Sequence, residues 1–159
     1  MPRQRWSILG VGRAGRARAH AIQADSNSAL TATWRGRFGA HFGVSVQTME
    51  QAIARSDIVA ISSPSHVHAD QVEQVLRAGR HVVVEYPLAA NAAQAADLFE
   101  LARARNRVLH VSHIELLGAV HQTLVANTRP GFVKSLSVHF TCSGPVKATA
   151  ADMALANVA

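Results

Sequence analysis

The sequence predicts an α/β domain: a doubly wound parallel sheet with helices on both faces. Three observations predict it. Short apolar strands alternate with stretches of helical periodicity from residue 6 to about residue 127, the rhythm of strand–helix–strand units whose strands pair in parallel. Ile58-Val59-Ala60-Ile61 is apolar at every position, as a strand covered on both faces requires. Gly10-Val11-Gly12-Arg13-Ala14-Gly15 sits where the first strand hands over to the first helix, the context that gives a G-x-G-x-x-G its meaning.

The elements come in order. Trp6–Leu9 reads as the first strand. A helix runs from about Ala14 to Ala24 and stops at Asp25-Ser26-Asn27-Ser28. Ala29–Trp34 is a second strand, rich in β-formers, and Val44-Ser45-Val46 is a candidate third. Thr48-x-x-Gln51 has the form of a capping box and opens a short helix. After Ile58–Ile61, the stretch from His68 to Ala78 carries Val72, Val75 and Leu76 at helical spacing, with Gly79 as its stop. His81–Val84 is a strand. Asn91 caps an Ala-rich helix reaching about Arg105, with Leu98, Leu101 and Ala102 on one face. Val108–Val111 is a further strand, and a helix from about Glu115 to Asn127 ends before Arg129-Pro130-Gly131, a turn signal. Phe132 to Cys142 reads as one long strand outside this rhythm. We therefore expect a dinucleotide-binding domain over 1–129 and the first strand of a second α/β domain, with its tail, over 130–159.

Composition agrees. The 159 residues are 48% hydrophobic and 16% charged, which supports one domain with a real core. No run approaches the ~20 apolar residues that a membrane helix needs, and the apolar stretch at Trp6–Leu9 is too short for a signal-peptide core. We expect a cytoplasmic protein with no membrane partner. Cys142 is the single cysteine, so neither an intrachain disulfide nor a cysteine-based zinc site is available. The net charge of +6 raises nucleic acid as a partner. Yet fourteen of the sixteen basic residues are arginines spread along the chain, and one Tyr and two Trp offer little stacking surface for bases. A small ligand bearing phosphates or carboxylates suits the charge better than nucleic acid does.

The glycine motif points to that ligand. Gly10 permits the tight turn, Gly12 leaves room for a pyrophosphate, and Gly15 lets the helix approach the sheet, as in a Rossmann-type fold. The N–H groups of Arg13 and Ala14 open a helix whose positive end faces the anion. At the end of the second strand an NAD-selective domain carries an acidic residue for the ribose 2′-hydroxyl. Here the chain reads Trp34-Arg35-Gly36-Arg37, without a carboxylate nearby in sequence. Arg35 and Arg37 suit a 2′-phosphate, so NADPH is expected over NADH. The alternative is that both are solvent-facing surface arginines. His66 with His68, and His110 with His113, invite a metal reading, but a strand would turn residues three apart to opposite faces, and no metal is expected. Ser62 and Ser63 lack a nucleophile elbow.

Three stretches together resemble the Gfo/Idh/MocA oxidoreductases: the glycine loop, Ser62-Ser63-Pro64-Ser65-His66-Val67-His68, and Ala78-Gly79-Arg80-His81-Val82-Val83-Val84-Glu85-Tyr86-Pro87-Leu88. Within that family the likeness is to the biliverdin reductase branch, because Glu85-Tyr86-Pro87 stands where sugar dehydrogenases carry Glu-Lys-Pro. Val108–Leu117 and Phe140–Pro145 are similar to segments of that branch as well. The resemblance implies hydride transfer from the nicotinamide to C10 of biliverdin, a linear tetrapyrrole, giving bilirubin. It implies that Ser63 and Pro64 line the cofactor, that His68 starts the following helix, and that Glu85 contacts the nicotinamide ribose. Tyr86 would stand beside the substrate and Glu115 close to the nicotinamide pocket. The branch's second domain is much larger than the stretch after Arg129 here. Two other readings stay open: a dinucleotide-binding domain without turnover, or a dehydrogenase of the same family with another small substrate. A lone strand over 132–142 would be an unpaired edge, so self-association through it is expected.

Overall fold

The structure, a computed structural model, describes residues 2–46 and 48–127. The described residues fall into two units, 2–112 and 113–127.

The first unit alternates strand and helix throughout. β1 (Gln4–Leu9), α1 (Arg13–Ala24), β2 (Ser28–Trp34), α2 (Met49–Ala54), β3 (Ile58–Ile61), α3 (His68–Arg77), β4 (His81–Glu85), α4 (Ala92–Ala104) and β5 (Leu109–Ser112) succeed one another. All neighbouring strands pair in parallel. The spatial order is β2-β1-β3-β4-β5, so β1 has β2 on one side and β3 on the other. The direction of winding reverses between β1 and β3, and in such sheets a crevice opens there at the carboxyl ends of the strands.

Period-2 alternation sorts the side chains between two cores. Leu9, Val59, Ile61, Val82 and Val84 pack with residues of α2, α3 and α4, among them Ile53, Val72, Val75, Leu76 and Leu98. Ile8 and Ala60, one residue out of phase, pack with Ala19 and Ile22 of α1 and with Val11. Fully burying each large aliphatic chain is worth about 1.5–3 kcal/mol. The expected caps are present. Thr48 and Gln51 close a capping box on α2, Asn91 Oδ1 accepts from the Gln94 N–H at 2.9 Å, and Gly79 leaves α3 at φ 72.

Two elements differ from expectation. Val44–Val46 does not form a strand. Ser45 makes one parallel bridge to Thr33, because Gly43 turns the chain at φ 68 and Thr48 already starts α2. In the second unit the helix expected from Glu115 is split at Gly118 into a 3-10 turn (Ile114–Leu117) and α5 (Ala119–Asn127). Ile114, Leu116, Leu117, Val120 and Val125 leave apolar surface exposed there. The strand expected over 132–142, self-association through it, Cys142 and the tail lie outside the described residues. No helix among the described residues is long and apolar enough to cross a membrane.

Candidate functional site

The glycine loop sits at the winding reversal. Gly10 has φ +86, and a Cβ there would lie 2.6 Å from the Ser63 nitrogen. A Cβ on Gly15 would lie 2.2 Å from the Gly10 carbonyl oxygen, so α1 reaches the loop only because residue 15 is glycine. Gly12 is different. Its φ of −86 is open to any residue, and a Cβ there would meet nothing within 4 Å. The fold needs Gly10 and Gly15; the open space beside Gly12 is what a bound group would use. Gly12 caps α1 without a side-chain hydrogen bond, and no acidic residue stands in the first turn. The first-turn N–H groups, Arg13 and Ala14 among them, therefore keep the positive end of the helix dipole available to an anion.

The end of β2 is laced to this loop. Gly10 N–H donates to Trp34 O at 2.9 Å, Val11 N–H to Arg35 O at 2.8 Å, and Phe38 N–H to Val11 O at 3.2 Å. The approach is so close that a Cβ on Gly36, at φ +111, would lie 2.4 Å from the Val11 nitrogen. Arg35 itself holds a left-handed φ of 53, a conformation uncommon for non-glycine residues. Its guanidinium rides 4.7 Å from the Trp34 ring centroid. Arg16 and Arg37 both stack on Phe38, at 4.6 and 5.3 Å.

An open cleft of about 620 Å³ joins these parts, lined by Gly10, Gly12, Arg35, Ser63 and Pro64 among others. Ser62 Oγ and Gln71 Oε1, on residues lining the same cleft, are buried without a hydrogen-bond partner. Arg35 also borders an adjoining hollow with Glu50. A carboxylate thus stands near the end of β2 in space, although none is near in sequence. Glu50 is turned onto the start of its own helix: its backbone N–H, and then the Thr48 hydroxyl, hold its carboxyl below the ordinary value. These features fit a dinucleotide, whose pyrophosphate the open space beside Gly12 would accept.

On the other side of the crevice, His68 is almost fully buried. Its Nδ1 lies 2.7 Å from Pro87 O and its Nε2 lies 2.8 Å from Ser63 O. One ring thereby ties the loop after β3 to the turn after β4, where the Tyr86–Pro87 bond is cis. Tyr86 is 54% exposed. Glu85, at the end of β4, accepts from Arg18 Nε at 3.1 Å and from Arg18 Nη2 at 2.5 Å, while Nη2 also donates to Ser112 Oγ at 2.8 Å.

The structure therefore gathers Gly10, Gly12, Arg35, Ser63 and Pro64 around one crevice, with His68 behind it; Arg13, Ala14 and Gly15 stand in the first turn of α1, and Glu85 and Tyr86 are not in the cleft lining. Arg37 is absent from the cleft lining and stacks on Phe38 instead. The backbone of Glu115 lies in the 3-10 turn of the second unit; its side chain lies outside the described residues. Sequence reasoning missed Gly36, Arg18 and Glu50. Gly36 carried a faint signal as a glycine between two arginines at a strand end, whereas Arg18 and Glu50 gave none. Among the described residues no three His, Cys, Asp or Glu side chains group closely enough to hold a metal ion.

This geometry agrees with what the chain is similar to. The oxidoreductase family with an NAD-binding Rossmann fold, Gfo/Idh/MocA, matches residues 4–113. The chain belongs to the Gfo/Idh/MocA family. Among Gfo/Idh/MocA relatives, biliverdin reductase A of Mus musculus is 35% identical over 142 residues, covering 86% of this chain and 48% of the relative. A dTDP-3,4-didehydro-2,6-dideoxy-alpha-D-glucose 3-reductase of Streptomyces antibioticus is 41% identical over 111 residues, covering 66% of this chain and 34% of the relative. The crystal structure of biliverdin reductase from Synechocystis sp. PCC 6803, in complex with biliverdin and NADP+, matches with a TM-score of 0.72 and 37% identity. The match covers 77% of this chain and 42% of that one. The chain spans less than half the length of these Gfo/Idh/MocA relatives.

Proposed function

We propose that this chain binds NADPH in the β1/β3 crevice and serves an oxidoreductase that reduces a linear tetrapyrrole, converting biliverdin to bilirubin by hydride addition at C10. The observation that carries the reading is Glu85-Tyr86-Pro87 at the carboxyl end of β4, beside the crevice, with tyrosine where sugar-acting members carry lysine. When bound, the cofactor would supply the hydride, and solvent at the exposed face of the pigment would supply the proton that a pyrrole nitrogen takes up. The chain's residues bind and orient. First-turn N–H groups of α1, freed by Gly12, hold the pyrophosphate. Arg35 meets the 2′-phosphate, with Arg37 as a second cation at the same strand end, and this supports NADPH over NADH. Ser63 and Pro64 line the nicotinamide half, and Glu85 accepts from the nicotinamide ribose. Tyr86, exposed and lacking a basic amine, presents a flat ring on which a planar pigment stacks. Glu115 is a further candidate catalytic residue in this reading. The lysine that sugar-acting members carry at this position is absent, which weighs against the dehydrogenase alternative.

Similarity to the sugar 3-reductase supports a second reading, in which the substrate is a nucleotide-linked keto sugar. The test is to mix the 159-residue chain with NADPH and biliverdin and follow the visible spectrum. Loss of the biliverdin band with growth of the bilirubin band is expected. An unchanged pigment with NADPH bound would reject the tetrapyrrole reading and leave a cofactor-binding domain with another substrate or none.

A further inference from the structure

We propose that Arg18 is a positioning residue: it holds the carboxylate of Glu85 by one oxygen so that the other is presented to the nicotinamide ribose. The inference rests on the cofactor reading above. Three observations carry it. First, every contact that Arg18 makes with the carboxylate goes to Oε1, through Nε at 3.1 Å and Nη2 at 2.5 Å. Among the described residues the hydrogen bonds to this carboxylate go to Oε1, and we assign Oε2 to a hydroxyl donor. Second, the grip is braced. Nη2 also donates to Ser112 Oγ at 2.8 Å, and Ser112 is the strand partner of Glu85 in the β4–β5 ladder. A single guanidinium therefore joins α1 to the carboxyl ends of two strands. Third, both side chains of the ion pair are largely withdrawn from solvent, at 22% and 27% exposure, where a charge-assisted fork orients more than an exposed pair does.

Strand order gives the location its meaning. Arg35 marks the adenosine end at the edge strand β2, and Gly12 lies over β1. A dinucleotide running from β2 across the start of α1 brings its nicotinamide half toward β3 and β4, the side on which Glu85 stands. Lysine could not replace Arg18, because one ammonium has no planar fork to hold Glu85 and Ser112 together.

The experiment titrates the 159-residue chain with NADPH and, separately, with 2′,5′-ADP, which has the adenosine half but no nicotinamide ribose. In Arg18→Ala the NADPH affinity is expected to fall roughly tenfold or more, while 2′,5′-ADP binding changes by less than about twofold, which also reports that the variant is folded. In a Glu85→Ala background, Arg18→Ala should cause no further loss of NADPH affinity, since a positioning residue has nothing left to position. Equal weakening of both ligands would overturn the inference in favour of a purely structural role. So would undiminished NADPH binding, or an undiminished Arg18 effect in the Glu85→Ala background. A wild-type chain that binds neither ligand would overturn the cofactor reading itself, and this inference with it.

Discussion

Replacing Gly12 by aspartate separates what the phosphate loop does for folding from what it does for binding. Residue 12 caps α1 at φ −86 and ψ −151, a conformation that aspartate adopts freely, and an added Cβ meets nothing within 4 Å. The helix has no side-chain cap and no acidic residue in its first turn. An aspartate here gains a few tenths of a kcal/mol over glycine as a cap and about 0.3–1 kcal/mol from the dipole. The sum, about 0.5–1.3 kcal/mol, raises Tm by roughly 2–6 °C in a unit of this size. The same carboxylate occupies the space that a pyrophosphate needs. At about 4 Å and an effective dielectric of about 20, one such pair of like charges repels by about 4 kcal/mol, so NADPH affinity falls by more than about a hundredfold. Gly15→Ala is the opposite case. Its Cβ would lie 2.2 Å from Gly10 O, so the usual gain of about 1 kcal/mol for alanine in a helix is replaced by a loss of about 2 kcal/mol or more. Thermal melts with and without NADPH, paired with calorimetric titration, measure both. A Gly12→Asp protein that melts several degrees lower, or that binds NADPH within tenfold of wild type, would refute the reasoning.

Other substitutions probe neighbouring parts of the crevice and the fold. Arg35→Ala should weaken NADPH by about tenfold or more and leave NADH within about threefold, read by competitive titration; equal loss for both would sink the 2′-phosphate assignment. His68→Ala removes a buried ring and two contacts to carbonyl oxygens, and a cost of about 2–4 kcal/mol is expected from urea unfolding; a cost below about 1 kcal/mol would mean that the ring is not the tie between the two loops. Asp57 is held at a pKa of about 2, first by its hydrogen bond from Arg5. A depressed carboxylate stabilises the fold above its unfolded pKa and loses that contribution as pH falls through the folded value. Asp57→Asn should therefore cost about 1 kcal/mol at pH 7, a figure reduced for solvent screening at a side chain 42% exposed. The gap to wild type should close between about pH 4 and pH 2, and a gap independent of pH would contradict the assignment.

The sheet was readable because its cues are local. Alternation between Ile8 and Leu9, the all-apolar β3, and the caps at Thr48, Asn91 and Gly79 each act within a few residues, and each element appeared where those cues stand. Val44–Val46 failed because β propensity over three residues cannot overcome the turn at Gly43 and the helix start at Thr48. The glycine loop was legible as a motif, but which of its glycines the fold itself requires became visible only once Ser63 and the Gly10 carbonyl were beside them. Arg18 could not be told from Arg16, two residues earlier on the same helix. One stacks on Phe38 and the other reaches Glu85, a choice made by where α1 lies on the sheet. Glu50 escaped notice for the same reason: it reaches the end of β2 only because α2 folds back over that strand.

We expect the crevice between β1 and β3 to bind NADPH in preference to NADH. Isothermal titration of the 159-residue chain with each cofactor under identical buffer conditions tests it most directly. A single site that takes NADPH at least about tenfold more tightly than NADH is expected. No binding of either, or tighter binding of NADH, would contradict it.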